Sequence, residues 1–159
     1  MTRRTMFSAL AVLAAAWLMG AAGAFAARWS DTAPRINETH VFHGEINKRG
    51  KPVGFHSRPG GRNPKGARVV DVTRKPNREG VYEARVEIRD SRSGRWLEKR
   101  STLFPDAMDR DQVIRAILNA WRHRTTGQAQ KFRGPSGRGF TIEGYLLDGD
   151  INTAYPIYR

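Results

Sequence analysis

Hydrophobic and polar positions alternate most regularly along residues 82–89. Apolar side chains occupy every second position there and charged ones fill the gaps: Tyr82, Ala84, Val86 and Ile88 against Glu83, Arg85, Glu87 and Arg89. A period of two is typical of a strand with one buried face. The valine-rich Ala67–Thr73 and the later Arg95–Phe104 are also predicted strands, with a turn at Asp90–Gly94. These segments predict an antiparallel β-hairpin unit.

The pattern changes to a helical period within Pro105–His123. Five apolar residues recur there at the spacing of one helix face: Val113, Ile114, Ile117, Leu118 and Trp121. This spacing predicts an amphipathic helix whose Trp121 belongs to the core and not to a binding site. Asp106 and Asp109 are both candidates for the helix N-cap.

The last third of the chain contains one more strand pair. Thr125–Gly139 is polar and rich in glycine, and it is predicted to be a mobile basic loop. Phe140–Leu147 and Ile151–Tyr158 are predicted strands, and Asp148-Gly149-Asp150 between them is a hairpin turn signal. Taken in order, the elements predict an α+β fold in which a helix packs on an antiparallel sheet.

The N-terminus has the pattern of an export signal. Arg3 and Arg4 precede an apolar run at Met6–Ala22, and Ala24-Phe25-Ala26 is an A-x-A cleavage signal. We therefore expect a signal peptide at residues 1–26 and a secreted or periplasmic protein without stable membrane association after cleavage. The alternative is an uncleaved membrane anchor. Residues 27–34 are predicted to be an exposed lead-in, and residues 35–159 one domain, expected to be a monomer.

Composition narrows the partners of this domain. The formal net charge is +13, which favours polyanions such as nucleic acid, anionic lipid or acidic polysaccharide. The chain has no cysteine, so disulfides, thiolate metal sites and cysteine nucleophiles are excluded.

Three of the four histidines lie in one basic, glycine-containing stretch, Glu38–Gly61. Within it, Asn47–Gly54 is predicted to be a turn-rich linker. His40 and His56 are too far apart in sequence for one helix turn, so they are candidates for an acid–base pair formed across a loop. His40 and His43 form an H-x-x-H pair, which is a weak metal signal without a third ligand. His123 ends the predicted helix, where a cation interacts favourably with the helix dipole.

Two strand segments carry further candidates. Lys99 and Ser101 share one strand face, while Arg100 and Thr102 share the other. Either cation is suited to stabilise a phosphorane, and either is also typical of a solvated surface. Near the C-terminus, Thr153 and Tyr155 share a face and are suited to bind a nucleobase by hydrogen bonding and stacking.

In their order along the chain these motifs resemble the EndoU family of endoribonucleases. The resemblance extends from about Arg35 to Tyr158, and the matching segments are His40-Val41-Phe42-His43-Gly44, Gly54-Phe55-His56, Lys99-Arg100-Ser101-Thr102 with Phe104-Pro105, and Thr153-Ala154-Tyr155-Pro156. The resemblance implies the α+β architecture of barnase, EndoU and colicin-like ribonucleases. It also implies cleavage of single-stranded RNA, usually at uridine, to 2′,3′-cyclic phosphate and 5′-hydroxyl ends.

Roles for individual residues follow from the same resemblance. His56 would be the base, His40 the acid and Lys99 the transition-state cation. The residues implied in substrate binding are Thr153, Tyr155, Ser101 and Thr102. Manganese stimulates some members of the family and others need no metal, so we expect no resident cofactor or metal here. Toxin members imply a cognate immunity protein as a partner.

Several alternatives remain open from the sequence. His43 lies beside His40, Arg100 lies beside Lys99, and Phe55 stands where the family usually has a glycine. A metal-dependent nuclease would use His40 and His43. A non-catalytic basic module that holds RNA or an envelope polyanion is the rival class.

Overall fold

The computed structural model describes residues 27–159. The elements are α1 Glu38–Phe42, β1 Glu45–Ile46, β2 Pro52–Val53, a 3-10 turn at Pro59–Gly61, β3 Ala67–Arg74, β4 Tyr82–Arg89, β5 Trp96–Leu103, α2 Arg110–Arg122, β6 Thr125–Gln128, β7 Lys131–Pro135, β8 Thr141–Leu147 and β9 Asp150–Pro156. The fold is α+β with antiparallel sheets, as predicted.

The first large sheet has the order β3-β4-β5, and its centre is the alternating strand β4. The even-numbered residues of β4 are buried and contact Phe55, Ala67 and Leu103. The outer face carries ion pairs, among them Arg68 with Glu87. The predicted strand at 82–89 is confirmed because its period of two matches burial on one face only.

The second sheet has the order β6-β7-β8-β9, and α2 packs on one of its faces. The Trp121 and Phe132 rings meet edge to face with centroids 5.3 Å apart. A Cβ at Gly134 would lie 2.1 Å from the carbonyl oxygen of Ala120, so glycine is required where the helix crosses β7. The prediction that Trp121 packs with the core is confirmed.

The predicted mobile basic loop at Thr125–Gly139 is wrong. Strands β6 and β7 occupy most of this segment and pair with each other. Phe132 and Gly134 face α2, while Lys131 and Arg133 face the other side and bind Glu143. The segment was predicted to be a loop because it is rich in charged residues and glycine. Its strand β7 nevertheless alternates with a period of two, and glycine takes one of the buried positions.

Two other boundaries differ from the predictions. The helix begins at Arg110, not at Pro105, because the Asp109 side chain accepts a hydrogen bond from the Gln112 amide in a capping box. Asp106 instead binds Arg58 and the Tyr82 hydroxyl. The linker predicted at residues 47–54 includes strand β2, which forms a short hairpin with β1.

Residues 1–26 lie outside the described residues, so the signal peptide and the alternative anchor stay predictions. Within residues 27–159, no helix is both long enough and apolar enough to cross a membrane. Residues 27–34 run beside α1, where Trp29 bridges to Asn37 and Arg28 pairs with Glu38.

Candidate active site

The imidazoles of His40 and His56 meet between the two large sheets, with ring centroids 6.2 Å apart. Each residue is 8% exposed. His40 lies in α1, and the Asn37 side chain caps this helix by accepting a hydrogen bond from the His40 amide. The chain returns through the β1–β2 hairpin, and the His56 amide donates to the Val41 carbonyl at 2.8 Å. The hairpin thus closes the sixteen-position gap between the histidines.

The return of the chain depends on a close backbone approach at Gly54. Its φ is +76°, and an added Cβ would lie 2.3 Å from the carbonyl oxygen of His40. Phe55 follows with φ +59° and is fully buried. A phenylalanine in the left-handed region is unfavourable, and burial of its ring offsets this cost.

Gly54→Ala should destabilise the fold by about 2–4 kcal/mol, because the left-handed backbone and the clash both add to the cost. Gly50→Ala is the matched control, since Gly50 has φ +72° but nothing within 4 Å of an added Cβ. The control should lose only about 1 kcal/mol. Chemical denaturation measures both free energies of unfolding, and equal losses would show that the contact with His40 is unimportant.

The hydrogen bonds of His56 define which ring nitrogen faces the substrate. Its Nδ1 lies 3.1 Å from the Thr102 carbonyl oxygen and 3.0 Å from Ser101 Oγ. Ser101 Oγ donates its own hydrogen to the Phe55 carbonyl at 2.7 Å. Because a carbonyl only accepts, Nδ1 carries the hydrogen and the lone pair is on Nε2.

The electrostatic environment of His56 keeps its ring neutral. Burial lowers the pKa of His56 well below 6.5, and the charges of Lys99 and His40 lower it further. A neutral imidazole with a free Nε2 lone pair has the properties of a general base near neutral pH.

His40 is oriented by a carboxylate that the sequence pattern did not indicate. Its Nδ1 lies 2.9 Å from Glu45 Oε1. A carboxylate accepts the Nδ1 hydrogen, which leaves Nε2 of His40 available to a substrate. The signal in the sequence is an acidic residue just after the Gly44 turn, but only the hairpin brings it to the histidine.

Lys99, not Arg100, lies with the histidines. Lys99 Nζ donates to the Gly54 carbonyl at 2.8 Å and lies 3.3 Å from Ser101 Oγ. Burial lowers the pKa of Lys99 to about 8. Arg100 is exposed on the opposite face of β5. Thr102 shares that opposite face and contacts His56 through its backbone carbonyl alone.

Tyr155 completes the cluster from β9. Its ring centroid lies 5.2 Å from that of His56, and its hydroxyl donates to Glu143 Oε1 at 2.6 Å. Burial and the bond to Glu143 raise the pKa of Tyr155. Burial opposes ionisation of Glu143, but hydrogen bonds from Tyr155, Arg133 and Lys131 outweigh it and lower the pKa of Glu143 to about 2.

The sequence did not indicate a role for Glu143 either, because it is one polar position in a mostly apolar predicted strand. Thr153 lies two positions before Tyr155, and its Oγ1 is buried without a hydrogen-bond partner among residues 27–159. A buried hydroxyl without a partner costs free energy, and the fold of residues 27–159 leaves this capacity unused.

The remaining two histidines each lie at the C-terminal end of a helix. His43 is exposed at the end of α1, where partial desolvation and the charges of Arg110 and Arg28 lower its pKa. His123 is exposed at the end of α2, and its Nδ1 lies 3.0 Å from the Asn119 carbonyl. Within the part of the chain that the structure describes, no three His, Asp or Glu side chains form a metal-ligand group.

Comparison with known proteins assigns the class and the family. The model of the family described as "Bacterial EndoU nuclease" matches residues 34–158. The chain belongs to this family, and its class of enzyme is a nuclease. The resemblance noted from the motifs is therefore confirmed.

A curated relative from Bacillus cereus (strain ATCC 14579) carries the name "Toxin". It is 29% identical over 120 residues, which are 74% of this chain and 21% of the relative. The chain thus spans about a fifth of the length of the curated relative it matches. No solved structure matches the chain.

Proposed function

We propose that the domain is an endoribonuclease that cleaves single-stranded RNA by acid–base transesterification. The observation that carries this proposal is the buried pair His40 and His56, whose ring centroids are 6.2 Å apart with Lys99 beside them. Both rings use Nδ1 to bind the protein, so both Nε2 atoms are available for proton transfer.

In the proposed reaction, Nε2 of His56 takes the proton of a ribose 2′-hydroxyl as its oxygen bonds to phosphorus. The bond from phosphorus to the 5′-oxygen breaks, and His40 donates a proton to that oxygen. Glu45 supplies the counter-charge for the protonated His40. The products are a 2′,3′-cyclic phosphate and a 5′-hydroxyl, and the two histidines end with their proton states exchanged.

Lys99 is proposed to stabilise the negative charge that develops on the phosphorane oxygens. A cation that is already desolvated and fixed by hydrogen bonds needs little reorganisation when that charge appears. Ser101 fixes both Lys99 and His56. In this proposal it therefore acts mainly by positioning them.

Base recognition is proposed for Tyr155 and Thr153. The tyrosine ring is fixed through Glu143 and is suited to pack against a ribose or a base. Thr153 lies on the same face of β9 as Tyr155, and we propose that this pair gives a preference for uridine. Thr102 is oriented away from the cluster, so we assign it no contact with the base.

The biological role we propose is a secreted or periplasmic toxin. The relative named "Toxin" supports this role. As part of the same proposal, a cognate immunity protein is the partner. We propose that the protein acts as a monomer with its leader removed. Manganese stimulation remains a prediction.

The test is cleavage of an RNA oligonucleotide with a single uridine by residues 27–159, in the presence of EDTA, with the end groups identified by mass. We expect a cyclic phosphate at the uridine and no cleavage when that nucleotide is 2′-deoxyuridine, which lacks the attacking hydroxyl. No cleavage with EDTA or with added manganese, together with salt-dependent binding, would instead indicate a non-catalytic RNA-binding module.

A further inference from the structure

The tip of the β1–β2 hairpin is a compact group of cations that the proposed reaction does not use. Lys48, Arg49 and Lys51 follow one another around the turn, and all three are exposed. None of the ion pairs formed within residues 27–159 involves them, whereas Arg68 and Arg85 on the outer sheet face are paired with carboxylates. The tip therefore keeps its full positive charge.

The backbone of this tip is fixed before any ligand binds. Asn47 Oδ1 accepts the amides of Arg49 and Lys51 at 2.9 and 3.0 Å, and the Asn47 amide donates to the Lys51 carbonyl. The hairpin base packs against the sheet of β3, β4 and β5. Three like charges on a fixed turn repel one another, and an anionic ligand would relieve this repulsion.

The same hairpin forms one wall of the candidate active site. Glu45 at its base binds His40, and the carbonyl of Gly54 just beyond β2 binds Lys99. Arg49 is four residues from Glu45, so even a fully extended chain would place their backbones no more than about 13 Å apart. An RNA strand bound at the site and extending about 13 Å along the hairpin would meet these cations.

We propose that the tip formed by Lys48, Arg49 and Lys51 binds backbone phosphates of the RNA outside the cleaved dinucleotide. This inference rests on the proposed function, because it assumes an RNA substrate. Lys and Arg side chains that bind backbone phosphates read no base, so the tip extends the bound length of RNA without changing the cleaved base.

The test compares the variant K48Q/R49Q/K51Q with a control of equal charge change. The control is R115Q/R122Q/R138Q, whose three arginines are exposed on α2 or on the loop beside Asn119. They lie on the α2 side of the second sheet, whereas Tyr155 lies on the other side, because it pairs in register with Glu143. Thermal unfolding should be unchanged in both variants.

Binding is measured with a labelled RNA of about twelve nucleotides whose uridine is 2′-O-methylated, between about 50 and about 200 mM salt. The tip variant should bind more weakly at low salt, and its slope of log affinity against log salt should be flatter by about 2, since three single-strand phosphate contacts are lost. The control should keep the wild-type slope. A wild-type slope for the tip variant, or equal flattening in the control, would overturn the proposal.

A cleavable dinucleotide separates this inference from the proposed function. It is too short to reach the tip, so wild type and tip variant should cleave it with the same kcat/KM. An equal loss on dinucleotide and longer RNA would overturn the inference, because the tip would then act through Glu45 and His40. If wild type cleaves neither RNA while the binding slopes differ as expected, the proposed reaction fails and the phosphate-binding surface stands.

Discussion

His56→Ala should lower kcat/KM for a uridine-containing RNA by about 10³-fold or more, since it removes the proposed base and leaves the 2′-hydroxyl without a proton acceptor. His40→Ala should show a loss of similar size, because the leaving 5′-oxygen would then receive no proton from the protein. His43→Ala is the matched control and should retain activity within about twofold, because His43 is exposed at the end of α1 and the proposed reaction assigns it no proton transfer. The measurement is steady-state cleavage of a fluorogenic RNA by each folded variant.

The pH dependence gives the same prediction a second test. A general base works only in its unprotonated form, so activity falls as pH drops through its pKa. Burial lowers the pKa of His56 well below 6.5. The wild-type enzyme should therefore stay active as the pH drops below 6.5, and lose activity only when the pH reaches this lower pKa. Full activity of both His56→Ala and His40→Ala would contradict the mechanism. Loss in His43→Ala alone would transfer the role of the first histidine to His43.

Lys99→Met should reduce kcat by about 10²-fold or more with a smaller change in KM, because its charge is needed most when the phosphorane forms. Arg100→Met is the control, and its activity should stay within about twofold of wild type, because Arg100 is exposed on the other face of β5. This pair decides between the two adjacent cations, which sequence alone left open.

The charge of Lys99 should also affect activity at high pH. Its pKa is about 8, so the ammonium is present below that value and is lost as pH rises through it. Loss of this cation should therefore contribute to an alkaline decline in wild-type activity. Equal activities of Lys99→Met and Arg100→Met at pH 7, with both proteins folded by circular dichroism, would exclude Lys99 as the stabilising cation.

Local patterns were sufficient for the elements whose burial follows a simple period. The strand at residues 82–89 and the apolar face of α2 were predicted because each buries one face, so hydrophobic spacing reports the geometry directly. Strand β7 was not predicted because one of its buried positions is Gly134. Glycine is needed there for the close contact with α2, and it gives no hydrophobic signal. Its charged positions pair with Glu143, a partner ten residues away from Arg133.

The residues of the candidate site were likewise only partly predictable from the sequence. His40, His56, Lys99 and Tyr155 were candidates because of their side-chain chemistry and because the motifs that contain them resemble those of the EndoU family. Glu45 and Glu143 were not predicted, since an acidic residue in a strand usually faces solvent and its role here depends on the partner it meets. Phe55 was noted as a departure from the family, but its left-handed backbone is compensated by burial in a core formed with β4 and β5.

By itself the sequence determined the α+β class, the nuclease family, the absence of thiol chemistry and the residue types available for proton transfer, because composition, period and motif are local properties. Only the tertiary structure decided which histidine pairs with His56, which of two adjacent cations is buried and which nitrogen of each ring is free. These depend on contacts between distant segments: the hairpin that brings His56 back to α1, the face of β5 that is buried and the carbonyl of Thr102 that fixes the imidazole. Burial then lowers the pKa values of His56 and Lys99, an effect that requires the folded core.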